Sequence, residues 1–550
     1  MKTALLAAVA SSALLVACTP DGAPDTHNRI QLDQSTADAA IDVLGLSVTG
    51  TGNISFDSVA FDDGVYTFSN VVILNPDLDS QVEVNNSTSG KDSADKTPGL
   101  GEDSGLDEIH AARMMIDSPH LNEAGDVLMY AFSMEDISLV DTDDPDTIIT
   151  LERFGIEQPN GVMSAEISRI LMGSVDDDFE PSWNEYEFSS LAFDALEVSA
   201  IDEGSPVRVS LDRLAISGAQ PNVLDRFELL GLDFSGEDTD GNISGHLTEF
   251  SIDGLDLTPY ADMFDALAEG GNENAVTAAY FNSLASNSMD MYEAVTFRDL
   301  DISAPGATFA IDFITARMED EGNLLRSVAE MGSMSLTPDA TNEKGAQIAM
   351  GLGMMGYNSF EMSFAAESVY DQDAGRVYTD GDNYIEIKDA LRIEFGQDAS
   401  GYNDYFEALS AIRPSTEGSE PSDEDVAAIL EAIRPLTLNQ MSIRLEDMSL
   451  LERGLSFAAT TQGLPPEQLR AQAGMMVGMG LMAAPPEIPR TLIAEFSTAL
   501  TTFINEGGVL IMEMNPTESL SAGQIMDQIE AKTFDYDSLG LSFSTEPPAD

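Results

Sequence analysis

The sequence predicts an α+β fold in which a strongly curved, bulged, mostly antiparallel β-sheet carries helices that are packed on it or inserted between its strands. A repeated eight-residue strand pattern predicts the sheet, and capped apolar segments between the repeats predict the helices. One cysteine in 550 residues excludes an internal disulfide. The fold must therefore be stabilised by burial, for which 43% hydrophobic residues provide ample material.

The repeat consists of two alternating apolar residues, a polar pair and two more alternating apolar residues. The copies span 54–61, 132–139, 191–198, 209–216, 227–234, 250–257, 295–302, 443–450 and 534–541. Alternation indicates a half-buried strand, but the phase slips by one residue in the middle. A β-bulge, with two residues opposite one, would absorb the slip and bend the strand. A tight turn at the polar pair is the alternative, although the flanking arms are short for a hairpin.

Helices are predicted between the strands. Thr258-Pro259 resembles an N-cap followed by proline at the first helical position, and Ser422 with Asp425 resembles a capping box. The predicted helices cover 258–268, 272–286, 324–331, 343–355, 403–412, 423–433, 466–483 and 489–505. A strand is predicted at 509–514.

Composition divides the body of the chain into two regions. A β-rich region covers 41–290 and contains a flexible loop at 79–107, which is rich in Ser, Asn, Asp and Gly. An α+β region covers 291–550 and ends in a helical pair followed by the final strands. The boundary lies where strand-rich sequence gives way to longer helical segments.

The N-terminal segment has the features of an export signal. Lys2 precedes an apolar run from Ala4 to Ala17, which is too short to span a bilayer and ends in small residues. The pattern predicts a signal peptide over 1–17. An ordinary secretory signal followed by an incidental cysteine is one reading of it.

The end of this segment resembles the lipobox of bacterial lipoproteins. The motif is Leu15-Val16-Ala17-Cys18. The resemblance implies that Cys18 is acylated, that 18–40 form a lipidated tether, and that the membrane is a partner through Cys18. Thr19, where enterobacterial lipoproteins of the inner membrane carry Asp, implies an outer-membrane location facing the periplasm.

The charge balance is strongly acidic. Lys and Arg number 24 against 97 Asp and Glu, a formal net charge of −73. Such a surface repels nucleic acid and anionic headgroups, so we expect no nucleic-acid partner. Solvation in high salt explains this charge, and divalent-cation binding is the alternative. Residues 238–242 fail as an EF-hand, because Gly236 and Leu247 would occupy its first and twelfth ligand positions, and they indicate a hairpin turn.

The sequence contains no signature of a nucleophile elbow, a phosphate-binding loop or a dinucleotide site. His110 and His120 lack the spacing of a helical zinc site. We therefore predict a protein that is not an enzyme, with no cofactor and no metal site. Glycosidase-type carboxylates stay open as an alternative, because acidic pairs are frequent and nothing singles out two of them.

Two Met-rich and Gly-rich segments, 350–357 and 474–484, are the candidate ligand-binding elements. Methionine is flexible and polarizable, which suits surfaces that adapt to apolar ligands. An ordinary buried helix is the alternative. The candidate ligand-binding residues are Met354, Met355, Met475, Met476 and Met479.

Four stretches resemble an uncharacterised family of exported proteobacterial proteins. They are MSIRLEDMSLLER (441–453), GLPPEQLRAQ (463–472), FINEGGVLIMEMNP (503–516) and LGLSFS (539–544). The octets also loosely resemble the strand repeats of AsmA-like envelope proteins, whose curved sheet forms an apolar trough for lipid. AsmA-like proteins usually begin with a transmembrane helix, whereas this chain resembles a lipoprotein. Neither resemblance implies an activity or a functional residue.

These observations predict an outer-membrane-anchored periplasmic lipoprotein that binds or shields a lipid or another apolar ligand in its curved sheet. The alternative is a non-catalytic structural or partner-binding envelope lipoprotein with a closed core. The two differ in whether the apolar face of the sheet is an open groove or is filled by packing.

Overall fold

The computed structural model describes residues 32–47, 53–74, 108–140, 146–172, 185–202, 204–238, 241–258, 291–410, 423–482 and 488–547. The chain divides into two compact units. Unit 1 is Met1–Thr239 with Ser244–Ala261, and unit 2 is Asp240–Ile243 with Asp262–Asp550. The predicted fold class, α+β with a large curved antiparallel sheet, is confirmed.

Unit 1 is an antiparallel meander in which most strands pair with their neighbours in the sequence. Its strands are β1 (Ile54–Ser55), β2 (Ser58–Asp62), β3 (Val65–Leu74), β4 (Glu108–Asp117), β7 (Ala131–Val140), β8 (Ile148–Glu157), β9 (Phe188–Asp202), β10 (Ser205–Gln220), β11 (Val223–Asp238) and β12 (Gly241–Asp256). A small hairpin consists of β5 (His120–Leu121) and β6 (Val127–Leu128). Helices α1 (Gln34–Val43) and α2 (Gly161–Met172) pack on this hairpin.

Unit 2 is a second antiparallel meander, with longer helical connections. Its strands are β13 (Ala294–Ala304), β14 (Ala307–Asp320), β15 (Leu324–Pro338), β16 (Phe360–Asp371), β17 (Arg376–Thr379), β18 (Tyr384–Ile387), β19 (Leu391–Ser400), β20 (Thr437–Asp447), β21 (Gly508–Met514), β22 (Leu520–Ser521) and β23 (Leu541–Glu546). Its helices are α3 (Glu343–Met354), α4 (Tyr402–Ser410), α5 (Asp423–Ala432), α6 (Leu450–Gln462), α7 (Pro466–Met482), α8 (Arg490–Glu506) and α9 (Ala522–Glu530).

The centres of four octets line up across the unit 1 sheet with residues of three further strands, in what we call the kink row. It consists of Asn70, Ala112, Asp136, Glu152, Ala195, Asp212 and Gly231, one residue from each strand of the series β3, β4, β7, β8, β9, β10 and β11. In each strand pair the register continues unchanged past this row, and the two residues at its level are left out of the pairing. Every second residue of the row has a positive φ, from 50° at Asn70 to 61° at Gly231.

The kink row corrects the predicted geometry of the octet. Two residues do not oppose one there, because both strands of each pair change phase at the same level and the two slips cancel. Asn, Asp and Gly are the residues that best tolerate positive φ, which explains the acidic and glycine centres of the repeat. Register shifts of the bulge type occur elsewhere, between Met331 and Met334 in β15 and at Asp398/Ala399 in β19.

Three sequence predictions differ from the structure. Residues 324–331, predicted as a helix, form the first half of β15, because pairing with β14 and β16 on both sides outweighs local helix propensity. The octet 443–450 stops being a strand at Asp447, and α6 begins at Leu450. The octet 534–541 contains a 3-10 turn at Tyr536–Leu539, and its strand begins only at Leu541.

Several sequence predictions fall wholly or partly outside the described residues. The signal peptide 1–17 and Cys18 lie there entirely, as do the loop at 79–107 and the helix predicted at 272–286. The predicted tether 18–40 is too long at its C-terminal end. Helix α1 begins at Gln34, and Ala37 and Ala40 are fully buried in unit 1.

We expect Ala195→Gly to stabilise the protein. Ala195 is exposed and holds a φ of 54°, in a region where a side chain with a Cβ is disfavoured by about 1–2 kcal/mol. Allowing for the greater freedom of glycine in the unfolded chain, the gain in unfolding free energy is about 0.5–1 kcal/mol. Urea denaturation of both proteins measures it. Ala200→Gly in the same strand, where φ is not positive, is the control and should destabilise; equal loss in both variants would contradict the strain at the kink row.

Candidate functional site

Both Met-rich segments lie in connections that leave the same end of the unit 2 sheet. Helix α3 connects β15 to β16, and helices α6, α7 and α8 connect β20 to β21. One row of paired residues runs across this end of the sheet: Met334, Met362, Ile387, Leu391, Asp447 and Gly508. We call this end of the sheet, with the helices that leave it, the Met-rich end. The topology therefore brings together two segments that are more than 100 residues apart in the sequence.

Arg453 joins the end of α3 to α6. Its Nη1 donates a hydrogen bond to the carbonyl oxygen of Gly356, which directly follows the C-cap residue Met355. Its guanidinium lies 4.3 Å from the centroid of the Tyr357 ring. A cation at a helix C-terminus and over an aromatic face is favourable on both counts. Arg453 thus fixes the end of the first Met-rich segment against α6.

Arg470 of α7 joins that helix to α6 and α8. Its Nη1 donates to the carbonyl oxygen of Asn505 at 3.0 Å, near the end of α8, and its Nη2 pairs with Glu452 of α6. Gly474 lies close to Thr501, so that the backbones of α7 and α8 approach each other there. Helix α7 is consequently held between α6 and α8.

The structure exposes all five methionines that the sequence singled out. Met475, Met476 and Met479 expose 65%, 68% and 54% of their surface, and they lie on one face of α7 because of their spacing. Met354 and Met355 expose 50% and 37% at the end of α3. These side chains are not part of a packed core, so the alternative of an ordinary buried helix is wrong for them. Their role in ligand binding stays a prediction.

A continuous apolar row crosses eight strands of unit 2. It follows the register from β13 to β21 and consists of Phe297, Ile314, Met331, Phe364, Ile385, Ile393, Leu445 and Leu510. We call the side of the sheet that carries it the apolar face of unit 2. Met331 is buried, the other members are half-buried or, like Ile385, exposed. This face is only partly covered.

The equivalent row in unit 1 is closed. It consists of Tyr66, Ile116, Phe132, Ile156, Leu191, Ile216 and Phe227, and each of them is at most 9% exposed. This row is therefore buried in unit 1, whereas the row described in unit 2 is mostly half-buried. The open face is the candidate ligand-binding surface.

Helix α8 covers one side of that face. It packs on β21 and β23, where the rings of Phe496 and Phe543 lie 4.8 Å apart. The carboxylate of Glu495 accepts a hydrogen bond from the backbone N–H of Phe543 at 3.2 Å. Beyond this helix, Ile385 on β18 and Phe395 on β19 are 43% and 37% exposed. The open part of the apolar face is therefore centred on β18 and β19.

The opposite side of the same strands is charged. Arg444 on β20 pairs with Glu394 at 3.3 Å and with Glu546 at 2.8 Å, and Arg392 pairs with Glu386 at 2.9 Å. The hydrogen bond from Arg444 lowers the pKa of Glu546. Because side chains alternate along a strand, this charged face and the apolar face are the two sides of one sheet.

Asp398 and Arg376 form the best-defined ion pair of this region. The guanidinium makes two hydrogen bonds to the carboxylate, of 2.8 and 2.6 Å, and Asn439 donates a third of 3.0 Å. The bond from Arg376 is the main cause that lowers the pKa of Asp398, and burial opposes it. The pair ties β17 to β19 at the end of the sheet remote from the methionines.

A small cleft lies on the polar side of unit 1. It has a volume of about 90 Å³, and its lining includes Arg153, Asp194, Arg213 and Glu157 together with Phe132, Ile156 and several small residues. Arg213 is paired with Asp194 at 2.7 Å. The cleft is small and charged, so it does not suit an acyl chain.

The described residues show neither a membrane-spanning helix nor a metal cluster. Within the described ranges no helix combines the length and apolar character needed to cross a bilayer. In the same ranges, no three His, Cys, Asp or Glu side chains are placed to hold a metal ion.

Comparison with known proteins gives a family match within unit 2. A family model described as an uncharacterized protein matches residues 384–546, from the start of β18 to the end of β23. No curated protein matches the chain. The matched segment contains α6, α7 and α8 and the strands on which α8 packs. Its description assigns no activity to them.

Sequence reasoning found the methionines but missed the apolar row. Ile385 and Ile393 lie in no octet, and β18 is only four residues long. Their membership follows from the register, which pairs Phe364 with Ile385 and Ile385 with Ile393. The short alternation in Tyr384–Ile387 was the one local signal.

We expect the exposed methionines of α7 to contribute little to stability. Replacing Met475, Met476 and Met479 together by Gln should change the unfolding free energy by less than about 1.5 kcal/mol, since exposed substitutions are usually each within about 0.5 kcal/mol. Leu469→Ala in the same helix is the contrast, because Leu469 is 8% exposed and its truncation should cost about 2–5 kcal/mol. Chemical denaturation measures both. A large loss in the triple variant would place the methionines in a core.

We expect the contribution of Arg376 to stability to depend on pH. A lowered carboxylate pKa in the folded state stabilises the protein above the ordinary carboxyl pKa, and this contribution is lost as the pH falls through the lowered value. Arg376→Met should therefore destabilise at pH 7, by about 1 kcal/mol or less because Arg376 is 46% exposed, and the difference from the wild type should shrink below about pH 4. Arg208→Met, which breaks an exposed pair with Glu197, is the control. A constant difference from pH 7 to pH 3 would contradict the prediction.

Proposed function

We propose that this protein is a lipid-anchored envelope protein that holds the acyl part of a lipid on the apolar face of unit 2. The supporting observation is the apolar row across eight strands, whose members are mostly half-buried, whereas the corresponding row of unit 1 is buried. A row of partly exposed Phe, Ile and Leu side chains offers apolar area to a ligand at roughly 25 cal/mol per Å².

The dimensions and chemistry of the face favour a long apolar ligand. Neighbouring strands lie about 4.8 Å apart, so the eight-strand row extends over roughly 34 Å. An extended acyl chain fits along such a row, and the row itself contains no polar side chain. The net charge of −73 disfavours an anionic headgroup, so a neutral or zwitterionic lipid is the proposed class.

Anchoring rests on the sequence. The apolar run that ends in Leu15-Val16-Ala17-Cys18 supports acylation of Cys18, export to the periplasm and retention at the outer membrane. Several acyl chains on one cysteine would give stable anchoring, where a single chain gives a marginal one. In this proposal the anchor keeps the chain beside the lipid that unit 2 accepts.

A structural or partner-binding role is the competing function, and the closed row of unit 1 favours it for that unit. The row from Tyr66 to Phe227 has no room for a ligand, whereas the row from Ile109 to Phe234 on the same strands is half-buried apart from Ile149.

Native mass spectrometry of the mature chain with Cys18→Ser, secreted and purified without detergent, tests the proposal. We expect an adduct in stoichiometric amount that extracts into organic solvent as a lipid. A clean apo mass that stays unchanged after incubation with envelope lipids would sink the proposal and favour the partner-binding alternative.

We expect Ile385→Glu to lower the amount of bound lipid per protein at least tenfold. Ile385 lies in the centre of the open part of the apolar face, and a carboxylate there would be desolvated by an acyl chain. Because Ile385 is 43% exposed, the variant should fold. Ile148→Glu is the matched control, since Ile148 is a 56% exposed strand residue of unit 1. The ratio of lipid to protein after extraction measures both, and equal lipid in all three proteins would refute the assignment of the face.

A further inference from the structure

We propose that the Met-rich end of unit 2 docks on the surface of a bilayer of zwitterionic lipids. This inference rests on the proposed function, because it names the partner from which the apolar face would receive its lipid. It is carried by three observations: the exposure of the methionines, the absence of charged residues from their two sequence segments, and their position at one end of the open sheet.

The exposure at this end is apolar and concentrated. Besides the five methionines already described, Ile348 and Met350 of α3 are 39% and 61% exposed. Met350 and Met354 are four residues apart and share one side of α3. Long, unbranched methionine side chains adapt their shape to an irregular apolar surface, which the acyl boundary of a bilayer presents.

The same two segments are free of charge. Residues 345–360 and 471–486 contain no Asp, Glu, Lys, Arg or His, in a chain of which 22% is charged. A charge-free surface can enter the headgroup region without desolvating an ion. The acidic remainder of the chain repels anionic headgroups, so the proposed surface is zwitterionic.

The contacts between α3, α6, α7 and α8 connect the exposed methionines to the apolar face. Arg453 holds the end of α3 against α6, and Arg470 holds α7 against α8. Helix α8 in turn packs on β21 and β23 beside the open strands. A lipid that leaves the bilayer at the exposed methionines would reach the apolar face along α7 and α8 without crossing the charged side of the sheet.

A second copy of the chain is a poorer occupant of this surface. Two chains of net charge −73 repel each other strongly, and contact through the Met-rich end would have to overcome that repulsion. A zwitterionic bilayer has no such field. The proposed anchor at Cys18 would also hold every copy close to the membrane, where the effective concentration of lipid is high.

Flotation with vesicles tests the inference. The mature chain with Cys18→Ser is mixed with phosphatidylcholine vesicles and with vesicles that contain one-third phosphatidylglycerol. We expect binding to the first and weaker binding to the second. Replacing Met475, Met476 and Met479 by Gln, or Met350 and Met354 by Gln, should reduce the bound fraction at least fivefold. Stronger binding to the anionic vesicles, or unchanged binding of both Met variants, would overturn the inference.

The matched control replaces three exposed apolar residues of a helix at the other end of the sheet. Val426, Ile429 and Leu430 of α5 are 45%, 38% and 44% exposed, and their change to Gln should leave vesicle binding unaltered. An equal loss in this control would show nonspecific adhesion and overturn the inference. A concentration-dependent dimer in sedimentation that the Met variants abolish would assign the surface to a second copy and overturn it as well.

The two proposals fail in distinguishable ways. Ile385→Glu should lose the extracted lipid and keep vesicle binding. A wild-type chain that floats with vesicles through its methionines but carries no lipid would refute the proposed function and leave the docking surface standing. A chain that carries lipid but does not float would refute the docking surface alone.

Discussion

The pairing of equally kinked strands is the constraint on which the rest of the structure depends. A strand that changes phase alone would turn half of its apolar side chains to the other side of the sheet or would need a bulge opposite its partner. In unit 1 the seven strands of the kink row change phase at the same level, so the register survives and one side stays apolar along the full strand length. Positive φ at Asp136, Ala195 and Gly231 provides the local turn of the backbone.

Once one side of each sheet is apolar, what covers it decides what the unit can do. In unit 1 the helices α1 and α2 contribute buried residues such as Ala40 and Leu171, and the row from Tyr66 to Phe227 is closed. In unit 2 the rings of Tyr402 and Phe406 of α4 pack on Tyr370 of β16, and α8 packs on β21 and β23. Both units are built on an antiparallel sheet, and they differ in how far these rows are covered.

The sequence located some of the strands and helices but not the exposed apolar surface. The octets located β7 and β9 to β13, and caps and breakers located α3, α4, α5, α7 and α8, because these signals are local. The helix predicted at 324–331 failed because tertiary pairing overrides propensity, and α6 was missed because the octet at 443–450 mimics a strand. The apolar row depends on partners such as Phe364 and Ile385, which no local pattern connects. The exposure of Met475 likewise depends on how α7 packs on α6 and α8. The sequence of α7 is equally compatible with a buried helix.

Charge and apolar surface divide the molecule in a way that limits its partners. The arginines of unit 2 are largely engaged within the charged side of the sheet, as Arg444 is with Glu394 and Glu546. They neutralise part of the acidic surface locally but leave the chain at −73, so every approach through a charged side is opposed by like charge unless the partner is basic. The apolar row and the Met-rich segments 350–357 and 474–484 contain no ionised side chain, so a contact through them desolvates no ion of their own. The net charge of the whole chain still acts at these surfaces, and it opposes an acidic partner wherever that partner binds.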